Sequence, residues 1–422
     1  MSAHRYCVIG AGAAGLATMA VLLEQGFDVV CFEKTDRVAG HWHTDYESLH
    51  LITSRDVSGF DGYPMPPEYP VYPSRDQMRD YIVGFAESRR LAEHIGFGVE
   101  VVSLVPLGDS GDTGWRVECS DGTVADFDAV IVANGHLWNP NLPEYEGRFT
   151  GKSMHSADYH DLADVEGTRV LVVGAGNSGC DLAVDMANAR LESFISVRRG
   201  QMFQPKAIFG KPRGELTWLA KLPLPLQERV SRALVDVVVG PTSAYRGLPE
   251  PATRNLNKQP PVVNNLLLYW IHHGRITVVP GITRLDGRTV HFTDGSRREF
   301  DTILWATGYK VALPFLEASL LRWRDGVPLR TAGLTVPVGV ENLYFTGLAA
   351  PRGGQLPVYS AQAKLIARML RLTEASDVHI ARTFARAEKA DSRIDIVRKI
   401  WSKQMERAHR LIDKLERDHA AA

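Results

Sequence analysis

The sequence predicts an α/β protein with two Rossmann-like dinucleotide-binding domains, each a three-layer unit built on a parallel sheet. One pattern carries this prediction because it occurs twice: a buried strand runs into a glycine turn, and an apolar helix follows. The two turns are formed by Gly10, Gly12 and Gly15 and by Gly174, Gly176 and Gly179. A lone glycine turn is weak evidence, whereas strand, turn, helix and second strand in this order are strong evidence.

The first copy has every feature of a phosphate-binding turn. Gly10 permits a tight turn, Gly12 lets the backbone approach a pyrophosphate, and Gly15 lets helix and strand pack closely. The N-terminus of the helix then presents unpaired N–H groups to the phosphates. The next strand ends in Glu33, 23 residues after Gly10, where a carboxylate accepts hydrogen bonds from an adenosine ribose. This copy therefore predicts a dinucleotide with a free ribose 2′-OH.

The second copy differs at the end of its second strand. Arg198 and Arg199 stand there, and Arg198 lies 24 residues after Gly174. An acid at this place would repel a 2′-phosphate, whereas guanidinium groups pair with it bidentately. The second copy therefore predicts NADPH; the alternative is that two arginines merely end a strand at a solvated edge.

Length and composition describe a globular enzyme. The chain has 422 residues, of which 45% are hydrophobic and 23% are charged. Its net charge of −1 provides no global field for nucleic acid or an anionic membrane. No apolar run reaches membrane-spanning length, and Met1–Tyr6 leads directly into the first strand. We therefore expect a cytoplasmic protein without a signal peptide, in which the four scattered cysteines are buried thiols.

Two dinucleotide sites in one chain indicate redox chemistry. A nicotinamide transfers hydride, and a resident flavin is its usual acceptor. A flavin disulfide reductase shares this architecture but needs a redox dithiol, and the chain has no C-x-x-C or C-x-x-x-x-C. His41, His43 and His50 cluster in sequence without an acid or cysteine at ligand spacing, so we predict no metal site.

The segment between the two copies carries a family signature. It has the form F-x-G-x-x-x-H-x-x-x-[FY], with defined positions at Phe149, Gly151, His155 and Tyr159. This motif is the signature of the flavin-containing monooxygenases, and the chain therefore resembles that family. The resemblance extends from about residue 5 to about residue 370. Asp301–Tyr309 is similar to the family's "ATGY" strand, and Gln362–Lys364 to its C-terminal helix. A single histidine in a linker is more often structural than catalytic, which is our interpretation of His155.

The resemblance implies a fold and a reaction. An FAD domain is formed by both ends of the chain (1–163 and 301–422), and an NADPH domain (164–300) is inserted into it. NADPH reduces FAD, the reduced flavin reacts with O2 to give a C4a-(hydro)peroxide, and one oxygen atom passes to a small organic substrate. The outcome is N- or S-oxygenation, or Baeyer–Villiger oxidation of a ketone. Whether the protein forms a homodimer is left open by the sequence.

The resemblance also implies which residues contact the cofactors. Their expected positions are Gly10, Gly12, Ala14, Gly15, Glu33, Lys34, Gly40, Trp42, Thr53, Val101, Ala133, Gly135, Gly174, Gly176, Asn177, Ser178, Gly179, Arg198, Arg199, Thr307, Gly308 and Gln355. Trp42 matches an aromatic residue that the family places near the flavin, although a core tryptophan would look the same in sequence.

The candidate catalytic segment departs from the family. Ile52 stands where many N- and S-oxygenating members carry an asparagine, and isoleucine has no donor or acceptor. Either the backbone or the hydroxyls of Thr53 and Ser54 replace that amide, or the chemistry differs. Plant auxin-forming members and some Baeyer–Villiger members also lack the asparagine, yet Tyr159 stands where Baeyer–Villiger enzymes typically carry tryptophan. The substrate class therefore stays open, and an NADPH oxidase that releases hydrogen peroxide is the alternative function.

Local patterns predict the remaining segments. Asp61–Pro73, with five prolines and three tyrosines, is predicted as an ordered loop. Ser74–Ser88 is predicted as a helix with its first residue as N-cap, and Val262–His272 as another helix. Pro205–Pro261 is predicted to line the substrate entrance or to form a dimer contact. The charged helical segment Ser376–His419 should pack on the body or on a partner subunit.

Overall fold

Two parallel sheets organise the protein, whose computed structural model describes residues 4–255 and 259–420. The strands of the first sheet are, in spatial order, Leu343–Phe345, Ala129–Val132, Arg5–Ile9, Asp28–Glu33 and Ile95–Phe97. Side chains alternate across this sheet, as the period of a strand requires. Tyr6 and Val8 pack on the helical face, whereas Cys7 and Ile9 pack on the other face.

A three-stranded antiparallel sheet covers that other face. Its strands are Val101–Leu107, Gly114–Cys119 and Val124–Phe127. Leu104, Trp115 and Val117 from this sheet share one buried cluster with Cys7 and Ile9. The first unit therefore has three layers, in the order helices, parallel sheet and antiparallel sheet, as predicted.

The second unit repeats this layering. Its parallel sheet consists of Ile276–Val279, Glu192–Ser196, Arg169–Val173, Thr302–Trp305 and Lys152–His155. Val170 and Val172 pack towards helices, whereas Leu171 and Val173 pack towards a smaller sheet. That sheet consists of Arg297–Glu299, Thr289–Phe292, Ile282–Gly287 and Glu146–Phe149.

Strand pairing extends the second unit beyond its predicted limits. Lys152–His155 and Thr302–Trp305 fall within the predicted FAD-domain segments, yet both pair in the second sheet. The reason is that Thr302–Trp305 pairs directly with Arg169–Val173, the strand that precedes the second glycine turn. The second parallel sheet therefore spans residues 152–305 and is not confined to 164–300.

Nine helices account for the α-helical part of the described residues. Within the described residues they are α1 (Ala13–Glu24), α2 (Arg75–Ser88), α3 (Asn177–Asn188), α4 (Thr217–Lys221), α5 (Leu224–Val239), α6 (Leu266–His272), α7 (Leu356–Ala375), α8 (Ile380–Ala387) and α9 (Arg398–Ala420). The predicted N-cap of α2 is confirmed, because Ser74 and Gln77 form a reciprocal capping box.

The predicted helix Val262–His272 is wrong over its first four residues. Val262–Val263 is a short strand that pairs with Phe203–Gln204, as suits two adjacent β-branched residues. Asn264 then accepts a hydrogen bond from Leu267 N (2.9 Å), and this bond helps to fix the start of α6.

The remaining strands form short two-stranded ribbons. They pair Ala207–Ile208 with Lys211–Pro212, Trp323–Arg324 with Val327–Pro328, Arg330–Thr331 with Val336–Pro337, and Ala350–Pro351 with Asp395–Ile396. The C-terminal helices pack on the body, since Phe384 and Trp401 are buried in the same core as α1 and α7. All four cysteines are buried and unpaired. Among the described residues, no helix combines the length and apolarity needed to cross a membrane.

Candidate active site

The first glycine turn is tightly closed on its protein side and open on its outer side. A Cβ added to Gly15 would lie 1.8 Å from Gly10 O, and one added to Gly10 would lie 2.9 Å from Ala133 O. A Cβ added to Gly12 would meet no atom within 4 Å. Gly12 also caps α1 without a side-chain bond, so the first N–H groups of this helix are free for a phosphate.

The carboxylate of Glu33 is held beside this turn. It is buried and accepts hydrogen bonds from Ala11 N (2.7 Å), Thr35 N (2.9 Å) and Thr35 Oγ1 (2.8 Å). An ionised carboxylate has about four lone-pair sites, so acceptor capacity is left for a ribose hydroxyl. The backbone of Val99 donates to Glu33 O (3.0 Å), which brings the segment leading to Val101 to the same strand end.

Other predicted cofactor residues lie around the first turn. Gly40 approaches Gly12, because a Cβ on Gly40 would lie 3.6 Å from Gly12 Cα. The same 3₁₀ turn carries Trp42, which is half-buried against the core. Lys34 places its ammonium 5.0 Å from the Trp138 ring centroid, and Trp138 Nε1 donates to Gly135 O (3.2 Å).

The second glycine turn repeats the first almost atom for atom. A Cβ on Gly179 would lie 2.0 Å from Gly174 O, one on Gly174 would lie 2.4 Å from Ala306 O, and one on Gly176 would meet nothing within 4 Å. Gly176 caps α3 without a side-chain bond. Ala306 is the counterpart of Ala133 and was not predicted. Its signal in the sequence is its place directly after the buried strand Thr302–Trp305.

The end of the second strand is where the two turns differ. Arg198 and Arg199 follow Glu192–Ser196 and are exposed. Within the described residues, neither guanidinium has an ion pair or a side-chain hydrogen bond. Both cations are therefore free to meet a phosphate.

The first residues of α3 contact both units. Asn177 Oδ1 accepts a hydrogen bond from Val263 N (2.9 Å), and the Ser178 hydroxyl bonds that of Tyr46. The Tyr46 hydroxyl also donates to Asp181 Oδ2 (3.1 Å). Burial raises the pKa of Asp181 above its ordinary range.

The linker histidine is structural, as interpreted from the sequence. His155 Nε2 donates to Gly308 O (3.1 Å), and its Nδ1 accepts from Ala157 N (3.1 Å). Burial lowers the pKa of His155, which favours this neutral ring. Thr307 likewise holds the linker, since its hydroxyl donates to Asn141 O (2.6 Å). The structure thus gives Thr307 and Gly308 a linker role, and their contact with a cofactor stays a prediction.

The candidate catalytic segment is pinned by the proline-rich loop. Leu51 N donates to Pro73 O (2.8 Å) and Arg55 N to Val71 O (2.9 Å), so the ordered loop Asp61–Pro73 is confirmed. Ile52 lies between these two bonds and is half-buried.

The two hydroxyls beside Ile52 are not equivalent. Ser58 Oγ donates to Ser54 O (2.8 Å), so the 2.7 Å contact between Thr53 Oγ1 and Ser58 Oγ uses the proton of Thr53. The buried Ser54 hydroxyl has no partner among the described residues. Gln355 stands at the start of α7, donates to Pro351 O (2.8 Å) and leaves its Oε1 buried without a partner.

Two further glycines of this cleft were missed by sequence reasoning. Gly347 approaches α1, where its added Cβ would lie 2.7 Å from the Cβ of Ala14. Gly354 approaches the candidate catalytic segment, where its added Cβ would lie 2.1 Å from Val57 O. Gly347 follows the buried strand Leu343–Phe345, so the strand-then-glycine order was its available signal.

The chain is similar in sequence and in fold to flavin monooxygenases. The model of the flavin-binding monooxygenase-like family matches residues 3–406. The chain is 30% identical to flavin-containing monooxygenase 3 of Rattus norvegicus over 395 residues, covering 88% of this chain and 74% of the rat protein. It is 32% identical to indole-3-pyruvate monooxygenase YUCCA1 of Oryza sativa subsp. japonica over 332 residues, covering 76% and 80%.

Solved structures agree on the fold. A flavin-containing monooxygenase from Stenotrophomonas maltophilia superposes with a TM-score of 0.68 at 21% identity, covering 88% of this chain and 99% of that one. An open cyclohexanone monooxygenase superposes with a TM-score of 0.71 at 17% identity, covering 98% of each chain.

The protein has two doubly wound dinucleotide-binding units, each with its own glycine turn. This architecture is typical of flavoprotein oxidoreductases that bind two cofactors. The chain belongs to the flavin-binding monooxygenase family. It is therefore an FAD- and NADPH-dependent monooxygenase, and this prediction from the sequence is confirmed.

Proposed function

We propose that the first glycine turn holds FAD, that the second holds NADPH, and that the substrate is oxygenated between them at the segment Leu51–Val57. The contrast at the strand ends carries this proposal. Glu33 is a buried, oriented carboxylate, whereas Arg198 and Arg199 are exposed and have no ion pair with any residue that the structure describes. A ribose 2′-OH donates to a carboxylate, and a 2′-phosphate requires cations.

The chain's own residues supply binding, orientation and exclusion of water. Bound FAD would supply the redox chemistry with O2. Gly12 and Gly176 leave room for the two pyrophosphates, and the uncapped starts of α1 and α3 stabilise their charge. Ser54 offers one buried, unpartnered hydroxyl beside Ile52, in place of a side-chain amide. This donor set supports oxygenation of a small amine, thioether or ketone.

A second candidate function is an NADPH oxidase that releases hydrogen peroxide. It is favoured by Ile52, because an apolar side chain excludes water but orients no oxygen atom. The two functions separate when NADPH consumption, oxygenated product and hydrogen peroxide are measured together with amine, thioether and ketone substrates. Product formed in proportion to NADPH supports the monooxygenase. Hydrogen peroxide equal to NADPH with every substrate would establish the oxidase.

Ile52→Asn tests whether this position faces the reacting centre. The amide adds a donor and acceptor, so we expect a smaller share of NADPH oxidation to end in hydrogen peroxide, by about 2- to 10-fold for one oriented hydrogen bond. Ile52→Leu serves as the matched apolar control. An unchanged ratio in a folded, FAD-loaded Ile52→Asn protein would remove Ile52 from the site.

We also propose that the protein is cytoplasmic and that it forms a homodimer. Four unpaired, buried cysteines suit a reducing compartment. Large apolar side chains are exposed in the segment that was predicted as an entrance or dimer contact, including Phe209, Trp218 and Val237. Light scattering coupled to size-exclusion chromatography distinguishes monomer from dimer.

A further inference from the structure

A β-hairpin of the second unit lies over the candidate catalytic segment. Its strands are Ala207–Ile208 and Lys211–Pro212, and Arg213 N donates to Lys206 O (3.1 Å) at its base. A Cβ added to Gly214 would lie 3.2 Å from Val57 Cγ2. Gly214, which directly follows Arg213, therefore lies against Val57, at the end of the segment that holds Ile52, Thr53 and Ser54.

Arg213 is a half-buried cation without a counter-ion. Among the described residues, its guanidinium makes no ion pair and no hydrogen bond. Burial lowers the pKa of Arg213 to about 10, and the charge that lowers it further is another cation, Arg352. Burying a charge costs free energy unless the charge is paired with an opposite one. A bound anion beside Arg213 would therefore be stabilising.

Two neighbouring cations, by contrast, already have partners. Arg352 forms short bonds to Asp395 (2.9 and 3.1 Å from Nε), which leave Arg213 as the unsatisfied member of the pair. Lys206 bonds to His50 and is attracted by Asp181. The surrounding segment 205–261 contains nine Lys and Arg against four Asp and Glu, although the whole chain carries a net charge of −1. The segment that carries Arg213 therefore has an excess of positive charge.

We infer that Arg213 binds an anionic group of the substrate, so that the enzyme prefers organic carboxylates over neutral molecules of the same skeleton. This inference rests on the proposed function, because it places the substrate beside Leu51–Val57. A planar guanidinium matches a carboxylate bidentately, which gives orientation as well as affinity. Arg213 would thereby be a specificity-determining residue that holds one end of the substrate while the other end is oxygenated.

The test compares 4-(methylthio)benzoate with its methyl ester as thioether substrates, under NADPH and O2. We expect the wild-type holoenzyme to favour the acid by about 10- to 100-fold in kcat/KM, the effect of one charge-assisted hydrogen bond. Arg213→Gln should remove this preference, and Arg213→Lys should keep part of it. Lys211→Gln, an exposed cation on the same hairpin, is the matched control and should change nothing.

A binding measurement keeps the inference separate from turnover. The flavin absorbance of the oxidised holoenzyme is titrated with phenylacetate and with phenylacetamide, and tighter binding of phenylacetate that is lost in Arg213→Gln supports the role. Equal affinity of the wild-type enzyme for phenylacetate and phenylacetamide would overturn the inference. It would also be overturned if Arg213→Gln raised the KM for NADPH and kept the preference for the acid. In that case the guanidinium binds a phosphate of the cofactor. Carboxylate binding without oxygenation of either thioether would instead count against the proposed function.

Discussion

The two glycine turns share one backbone geometry and differ in the residues that follow their second strands. Added Cβ atoms meet the same obstacles at Gly15 and Gly179, and none at Gly12 and Gly176. Behind the first turn, Glu33 is buried and fixed by three hydrogen bonds. Behind the second turn, Arg198 and Arg199 are exposed and have no ion pair within residues 4–255 and 259–420. The comparison supports our proposal that the glycines leave room for a phosphate, whereas the residues at the strand ends select the nucleotide.

The largest effect on stability is expected from substituting the glycines that let helix and strand pack closely. Gly15→Ala and Gly179→Ala place Cβ within 1.8 and 2.0 Å of backbone carbonyl oxygens. Each carbonyl group belongs to the glycine turn itself, so relieving the clash would distort the turn. We expect each change to lower the free energy of unfolding by more than about 3 kcal/mol, as for severe overpacking. Urea unfolding followed by circular dichroism measures this, and wild-type midpoints would contradict it.

Filling the open side of each turn should separate the two cofactors without unfolding the protein. Gly12→Ala adds a methyl group where no protein atom lies within 4 Å, so the apoprotein should keep its stability but lose FAD. Gly176→Ala should keep FAD and raise the KM for NADPH by about 10- to 100-fold, equivalent to one or two phosphate hydrogen bonds. The flavin-to-protein absorbance ratio and steady-state kinetics check this. If both variants lost the same cofactor, the assignment of the turns would be wrong.

Removing both arginines should erase the nucleotide preference. We expect the Arg198→Ala, Arg199→Ala double variant to lose most of its discrimination between NADPH and NADH, since each charge-assisted bond contributes about 1.5–3 kcal/mol. Arg190→Ala, at the opposite end of α3, is the control. The measurement is kcat/KM for both nucleotides. Equal values for NADPH and NADH in the unmutated enzyme would contradict the role of this strand end.

A smaller effect is expected where the two units meet. Asp185 on α3 accepts a hydrogen bond from Ser48, and burial raises the pKa of Asp185 to about 6. Because this value exceeds the unfolded value of about 3.9, stability falls as the pH rises from about 4 to 6 and stays lowered above. Asp185→Asn should therefore stabilise the protein by about 1–2 kcal/mol at pH 7.5 and by little at pH 4.

Thermal unfolding at the two pH values measures this difference. Asp286→Asn, an exposed carboxylate in the second unit, is the control and should change stability at neither pH. A stabilisation by Asp185→Asn that is the same at pH 4 and pH 7.5 would show that ionisation of Asp185 is not its cause.

The local sequence pattern was sufficient to predict the strands and glycine turns that occur in both units. The strands Arg5–Ile9 and Arg169–Val173, the glycines after them and the cap of α2 follow from apolar period, steric need and hydrogen-bonding chemistry. α1 and α3 begin directly after Gly12 and Gly176, which serve as N-caps without a side-chain hydrogen bond. Val262–Val263 forms a strand instead of a helix because of its distant partner Phe203–Gln204. Propensity within a short window does not contain that partner.

The sequence by itself determined the two dinucleotide units, the opposite charges at their strand ends and the membership in a monooxygenase family, because these depend on residue types at fixed spacing. Tertiary structure decided which strands join which sheet, and it carried Lys152–His155 and Thr302–Trp305 into the second unit. It also brought Gly214, Val57 and Gly354 together from segments far apart in the chain. Such contacts depend on how packed layers meet in space, and residue spacing along the chain does not encode them.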